Sequence, residues 1–242
     1  MLKRIVIMGA SSGIGMELAR LYIARGYRVG LAARRLSLLQ QLRELAPDRV
    51  EVAAIDVTDV EAPQKLGELV DRLGGMDIYV HSSGVGWQNP VLDPTIELKI
   101  ASVNVEGFTR CVDWAFGFFS AQGFGHISAI SSVAGTRGLG ASSAYSASKA
   151  YQATYLQALR QLLAIRCLAN LYITDIRPGF VSTALLSGGN YPLLMEADAV
   201  AREIARAIDR QKTIRIIDWR YRLIMGLWRL IPRPLWERLP IK

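Results

Sequence analysis

Short β-branched runs alternate with longer amphipathic stretches along nearly the whole chain, and that alternation leaves few folds open. The runs at 3–8, 27–33, 50–55, 77–82, 126–131, 171–177 and 213–217 read as strands. The stretches at 14–25, 36–46, 59–73, 95–120, 143–165 and 197–211 read as helices. A strand, a helix and another strand in succession require a crossover, hence parallel pairing with helices covering the sheet. The expectation is an α/β fold, a doubly wound parallel sheet of about seven strands, with ligands bound beyond the strands' carboxyl ends. The third helix is introduced by Thr58-Asp59-Val60-Glu61, a capping-box pattern in which Thr58 and Glu61 satisfy orphan amides.

Composition sets the boundaries. At 242 residues, 51% hydrophobic and 21% charged, the chain can bury a large core, and no linker, repeat or low-complexity run divides it. One domain over 1–217 with an amphipathic extension over 218–242 is expected. Met1 to Arg4 runs directly into Ile5–Met8 and a glycine-rich turn, which leaves no room for a secretory leader, and no run approaches the ~18 apolar residues of a membrane span. Cys111 and Cys167 have no metal-ligand spacing. They read as small buried hydrophobes in a reducing cytoplasm, with no metal site. The net charge of +8 raises nucleic acid as a partner, but residues 212–242 hold eight basic side chains against two acidic ones and so carry most of the excess. No nucleic-acid partner is expected.

The first strand ends in Gly9-Ala10-Ser11-Ser12-Gly13-Ile14-Gly15 and a helix opens there. Such glycines let a pyrophosphate approach a helix N-terminus, where amides and the macrodipole favour anions. The spacing differs from the G-x-G-x-x-G of the common dinucleotide fingerprint. At the end of the second strand, Ala32-Ala33-Arg34-Arg35 offers no acid for a ribose 2′-hydroxyl and two guanidinium groups for a 2′-phosphate. NADP(H) is therefore favoured over NAD(H), with Arg34 and Arg35 the candidate contacts; the blander alternative is that one of the pair, Arg35 before Arg34, is a solvated face residue.

Tyr145-Ser146-Ala147-Ser148-Lys149 places a phenol and an ammonium four residues apart, on one helix face. A nearby cation favours phenolate and brings the phenol toward a working range. Upstream, Ile130-Ser131-Ser132-Val133-Ala134-Gly135 ends a strand with a hydroxyl that can polarise a carbonyl oxygen in the same pocket.

Taken in order, Gly9–Gly15, Asn104, Ser132, Tyr145, Lys149 and Pro178-Gly179 resemble the short-chain dehydrogenase/reductase family over nearly the whole chain. The resemblance implies a Rossmann-type single domain and a homo-oligomer that interconverts a small-molecule ketone or aldehyde and its alcohol. It implies that Tyr145 delivers the proton, that Ser132, thirteen positions earlier, orients the oxygen, and that Lys149 binds the nicotinamide ribose and lowers the tyrosine pKa. It further implies that Asn104 holds a water linking Lys149 to solvent, and that Asp56 and Val57 lie beside the adenine. Pro178, Gly179, Val181 and Thr183 match the loop at the nicotinamide carboxamide, and Ser11 and Arg34 match the 2′-phosphate site. Ser12, Gly13, Ile14, Ser83 and Gly84 complete the implied cofactor contacts.

The chain departs from the family at Met8, where a threonine is usual, and at His81-Ser82-Ser83-Gly84, where Asn-Asn-Ala-Gly is usual. His81 and His126 have no matching ligand set and read as satisfied core histidines. Trp87 fits the substrate cleft and loop packing about equally. In 218–242, three tryptophans accompany arginines, with Arg222, Gly226 and Arg229 on one helical face. Such a segment suits three settings: the headgroup boundary of an anionic membrane, its own substrate cleft, or a second subunit. Membrane contact would go with a lipophilic substrate. The alternative function is a catalytically silent NADP-binding regulator or membrane-docking scaffold.

Overall fold

The computed structural model describes residues 2–186 and 191–241. Seven strands form one parallel sheet: β1 (Arg4–Met8), β2 (Arg28–Ala33), β3 (Val50–Ala54), β4 (Ile78–His81), β5 (Gly125–Ile130), β6 (Leu171–Arg177) and, after two short strands, β9 (Ile214–Ile216). Their order is β3-β2-β1-β4-β5-β6-β9. The chain steps outward from β1 to β3 and then returns to the far side of β1 as β4. That reversal opens a crevice above the carboxyl ends of β1 and β4. Register levels these ends, since Met8 pairs with Ala32 on one side and His81 on the other.

Alternate residues of each strand feed two cores. Ile5 and Ile7 face α1 (Gly13–Ala24), α2 (Leu36–Arg43) and α7 (Ala197–Asp209), while Val6 and Met8 face α3 (Ala62–Leu73), α5 (Phe108–Gln122) and α6 (Ser143–Ile165). Burial on both faces explains the near-continuous apolar strand sequences.

Three expectations are corrected, and one small sheet is added. The helix expected over 95–120 divides into α4 (Pro94–Ala101), a π-helical segment Ser102–Gly107, and α5. The capping box does not form: Asp56 Oδ1 accepts from the Thr58 amide at 3.0 Å and hydroxyl at 2.8 Å, and Asp59 Oδ1 accepts from the Glu61 amide at 3.0 Å. These aspartates lie two residues upstream of the amides they cap, so local turns pre-empt the longer-range box, and α3 opens only at Ala62 with Pro63 in its first turn. Cys111 is buried as expected, but Cys167 is exposed, in a left-handed conformation (φ 54°) just past α6. Finally, β7 (Val181–Ser182) and β8 (Met195–Glu196) pair as a small separate sheet.

The extension forms α8 (Trp219–Leu230) and α9 (Arg233–Trp236). Tyr221 and Met225 are buried beside Val133. The Tyr221 ring lies where a side chain on Gly179 would be, 2.0 Å from an ideal Cβ, and its hydroxyl donates to Pro192 O (3.0 Å) and accepts from the Phe180 amide (3.1 Å). The Trp236 indole donates to Gly138 O at 2.9 Å, and Arg137 donates to Ile231 O at 2.8 Å. The extension thus closes over the loops that follow β5 and β6. Its other face stays open: Trp219, Leu223, Leu227 and Leu230 are each more than half exposed. Among the described residues no helix is long and apolar enough to cross a membrane.

Candidate active site

The start of α6 puts Tyr145 in its first turn and Lys149 one turn further, with the ammonium 5.8 Å from the phenol ring centroid. The ring needs Gly86 opposite it, since a Cβ there would come within 2.5 Å of Tyr145 Cδ2. Ser132, immediately after β5, turns its hydroxyl toward the same place. Burial raises the Tyr145 pKa and the neighbouring Ser132 hydroxyl works against that rise, so the phenol keeps its proton at neutral pH. Ser132 Oγ also accepts from the Ala134 amide at 3.1 Å, which fixes its direction.

Ser131 points elsewhere. Its hydroxyl donates to the buried carboxylate of Asp175, which forms an ion pair with Arg177 at 2.6 Å. Of the adjacent serines, only Ser132 serves the Tyr145 pocket.

Lys149 is buried and donates to Ile130 O and to Gln152 Oε1, both at 2.9 Å. Burial pulls its pKa down to about 8, opposed by the charge of Asp175. Asn104, fully buried in the π-helical segment, fastens the loop after β4: its Oδ1 accepts from the Val85 amide at 2.9 Å and its Nδ2 donates to Val85 O at 2.7 Å and Ser148 Oγ at 3.0 Å. The backbone carbonyl of Asn104 accepts from Gln152 Nε2 at 2.9 Å. The connection between Asn104 and Lys149 therefore runs through the Gln152 amide. Gln152 was passed over in the sequence; its signal was a polar residue on the inward face of a helix, in register with Lys149.

Around the crevice, Gly9 turns with φ 90° and its Cα meets the loop after β4 so closely that a Cβ would sit 2.7 Å from the Ser83 amide nitrogen. Ser12 is the N-cap of α1 but makes no side-chain cap bond, so the amides of Gly13, Ile14 and Gly15 head the helix uncapped by that side chain. Thr183 lies against Gly13, and Gly84 lies within 3.5 Å of Lys149 Nζ, measured from an ideal Cβ. Arg35, not Arg34, folds onto the glycine loop, donating to Ser12 Oγ at 2.8 Å and Ser11 Oγ at 3.1 Å. Both arginines are exposed; Arg35, at the start of α2, reaches back to the glycine loop, whereas Arg34 acts on Asp56 through its charge. Although burial works to raise it, bonds from Thr58 and the charge of Arg34 hold the Asp56 carboxyl below its ordinary pKa. The side chains of Val57 and Val181 are buried in the two cores, so only their backbones remain for a ligand. Pro178 O accepts from the Val133 amide at 3.1 Å, which holds the Pro178-Gly179 turn beside Ser132.

Uncapped helix amides, a guanidinium at the loop mouth and a buried ammonium beside a hydroxyl pair are the donors a nicotinamide dinucleotide needs, so the residues present fit that cofactor. The two histidines are buried and neutral, paired with Tyr79 Oη at 3.0 Å and Thr174 Oγ1 at 2.8 Å. Burial, helped by the charge of Lys149, pushes His81 down to about 3, and burial pushes His126 down to about 4. Trp87 is exposed. Among the described residues no cluster of His, Cys, Asp or Glu could hold a metal.

A short chain dehydrogenase family model matches residues 3–190. A Myxococcus xanthus protein called an uncharacterized oxidoreductase is 33% identical over 240 residues, covering 96% of this chain and 94% of its own. A short chain dehydrogenase from Burkholderia cenocepacia in complex with NADP superposes with a TM-score of 0.85 at 20% identity, covering 100% of this chain and 98% of its own. A 3-ketoacyl-(acyl-carrier-protein) reductase from Brucella melitensis complexed with NADH superposes at 0.80 and 21% identity, covering 89% and 96%.

Proposed function

The chain belongs to the short-chain dehydrogenases and is an oxidoreductase of that family, and on that footing we propose that it reduces a ketone or aldehyde to an alcohol with NADPH, Tyr145 giving the proton. The observation that carries this reading is the convergence of the Ser132 hydroxyl, the Tyr145 phenol and the Lys149 ammonium on one pocket at the carboxyl end of the sheet. When bound, the dinucleotide supplies the hydride. The protein's own groups do the rest. Ser132 donates to the carbonyl oxygen and holds it against Tyr145 Oη. Tyr145 releases its proton to that oxygen as negative charge develops on it. The Lys149 ammonium stabilises the phenolate left behind. In the reverse direction the phenolate takes the alcohol's proton.

NADPH is preferred to NADH because the end of β2 carries no acid and Arg35 stands beside Ser11 and Ser12, where a 2′-phosphate would gain charge-assisted bonds. The test is loss of NADPH absorbance across a panel of ketones and aldehydes, long-chain lipid ketones included. Tyr145→Phe is expected to bind NADPH and lose ~10²–10⁴-fold in turnover, the range of general acid catalysis. NADPH binding with no turnover on any carbonyl would favour a silent regulator. Self-association belongs to the same proposal, and light scattering decides it.

The exposed stripe Trp219, Leu223, Leu227 and Leu230 on α8 has Arg220 on one flank and Arg222 and Arg229 on the other. An apolar strip bordered by arginines complements an anionic bilayer surface, so we place α8 at the headgroup boundary of such a membrane and the substrate among apolar, lipid-like carbonyls. Full-length protein is expected to sediment with phosphatidylserine vesicles and to remain with the supernatant over phosphatidylcholine alone. Leu223→Glu with Leu227→Glu should abolish the sedimentation. Equal recovery of both proteins in the supernatant refutes it, and a dimer lost in the variant would assign the stripe to a second copy of the chain.

A further inference from the structure

Gln152 is 1% exposed, lies one helical turn beyond Lys149, and bonds both the Lys149 ammonium and Asn104. Its Oε1 accepts from Lys149 Nζ and its Nε2 donates to the backbone carbonyl of Asn104, each at 2.9 Å. Orientation is therefore fixed. An amide turned the other way would present NH₂ to an ammonium and oxygen to a carbonyl, two repulsive contacts in a dry site. The Asn104 carbonyl lies in the π-helical segment Ser102–Gly107, and Asn104 holds the loop after β4 through Val85.

We propose that Gln152 is a positioning residue that locks the Lys149 ammonium to the π-helical turn at Asn104 and sustains the charge on which Tyr145 depends. This rests on the catalytic reading of Tyr145 and Lys149 given above. Lys149 has two protein acceptors, Ile130 O and Gln152 Oε1, and the first is main chain that no substitution removes. Gln152 is thus the side chain through which this sequence sets the direction and protonation of the lysine. The other ionisable groups facing the ammonium are Tyr145 on α6, His81 on β4 and Asp175 on β6. His81 is held neutral by burial, and Asp175 is engaged by Ser131 and Arg177. None of the three bonds the lysine directly.

The experiment follows Lys149 itself in the cofactor-free protein, by the pH titration of its ¹³Cε chemical shift, assigned by its disappearance in Lys149→Arg. Gln152→Leu removes an acceptor and is expected to lower the titration midpoint by about one pH unit, while the isosteric Gln152→Glu is expected to raise it by at least as much. The alkaline limit of kcat/KM for NADPH-dependent reduction should move in the same two directions, with kcat for Gln152→Leu falling roughly tenfold. Folding of each variant is checked by its thermal transition. Should Leu fail to fold, Glu and Gln152→Met carry the test. A midpoint unchanged in folded variants overturns the inference whatever the activity. Midpoints that move while no carbonyl is turned over by the native protein would sustain the Gln152 link and sink the proposed reaction instead.

Discussion

Two arginines side by side show how much a single backbone step decides. Arg34 and Arg35 are alike in chemistry, but Arg35 reaches both serines of the glycine loop and Arg34 reaches none. A 2′-phosphate seated there would bond the Arg35 fork while Arg34 adds only distant charge. Arg35→Ala is therefore expected to raise the NADPH dissociation constant about tenfold or more, the worth of a charge-assisted bond, and to leave that of NADH nearly unchanged. Cofactor titration by tryptophan fluorescence decides it, and equal weakening of both cofactors would remove the 2′-phosphate from this corner. Lys149 yields a second prediction. Its folded pKa of about 8 lies below that of an unfolded lysine, near ~10.4. Between those values the unfolded chain binds more protons than the folded one, so stability rises with pH across the window. The burial cost is fully present below pH ~8 and is relieved as pH approaches ~10. Lys149→Met should accordingly be more stable than the native protein at pH 7, by on the order of 2–3 kcal/mol, and lose that advantage toward pH 10 in urea titrations. A gap that does not narrow would mean that the ammonium is not desolvated.

At the scale of elements, strands and helices differ in how legibly the sequence wrote them. The inner strands were visible because burial on both faces favours apolar runs such as Ile5–Met8. The partly exposed edge strands β3 and β9, which carry Glu51 and Arg215, were visible by their place in the alternation. Helix α6 was visible to its ends because Ser142 and Arg166 bound a long apolar period. What was hidden follows from other causes. β7 and β8 have two residues each, too few for any period to register. The π-helical segment was invisible because the helix period continues through it; the sequence marks it only by a buried Asn104, whose amide is satisfied by Val85 across the crevice. The false capping box at Thr58 was a true statement about side-chain chemistry in the wrong competition, since Asp56 reached the Thr58 amide first. At the candidate site, Tyr145 and Lys149 stood out as a phenol and an ammonium one helix turn apart, while the choice of Ser132 over Ser131 came only from the family resemblance. Gln152 and Tyr221 were not, because each matters through a carbonyl or a loop brought near by tertiary packing.

The two sides of the candidate site rest on different parts of the molecule. The crevice over β1 and β4 is built from short turns with little freedom, whereas the opposite wall depends on the last two helices, which lie outside the sheet altogether. Arg137, Gly138, Phe180 and Pro192 are held by α8 and α9 through Ile231, Trp236 and Tyr221, so the extension fastens both loops flanking Tyr145. The inner and outer faces of α8 should then separate cleanly by experiment. A chain ending at Asp218 loses Tyr221, Met225 and Trp236, three buried side chains, each worth roughly 2–5 kcal/mol by large-to-small core substitution. Truncation is expected to lower the thermal midpoint by more than about ten degrees and, where the chain still folds, to raise KM for the carbonyl far more than the NADPH dissociation constant. Leu223→Glu with Leu227→Glu alters only exposed positions and should leave thermal midpoint, KM and NADPH affinity at native values. If the truncated chain kept its native KM, the extension would be no part of the substrate wall. Its part would then be confined to the buried contacts that stabilise the fold and to its arginine-bordered stripe.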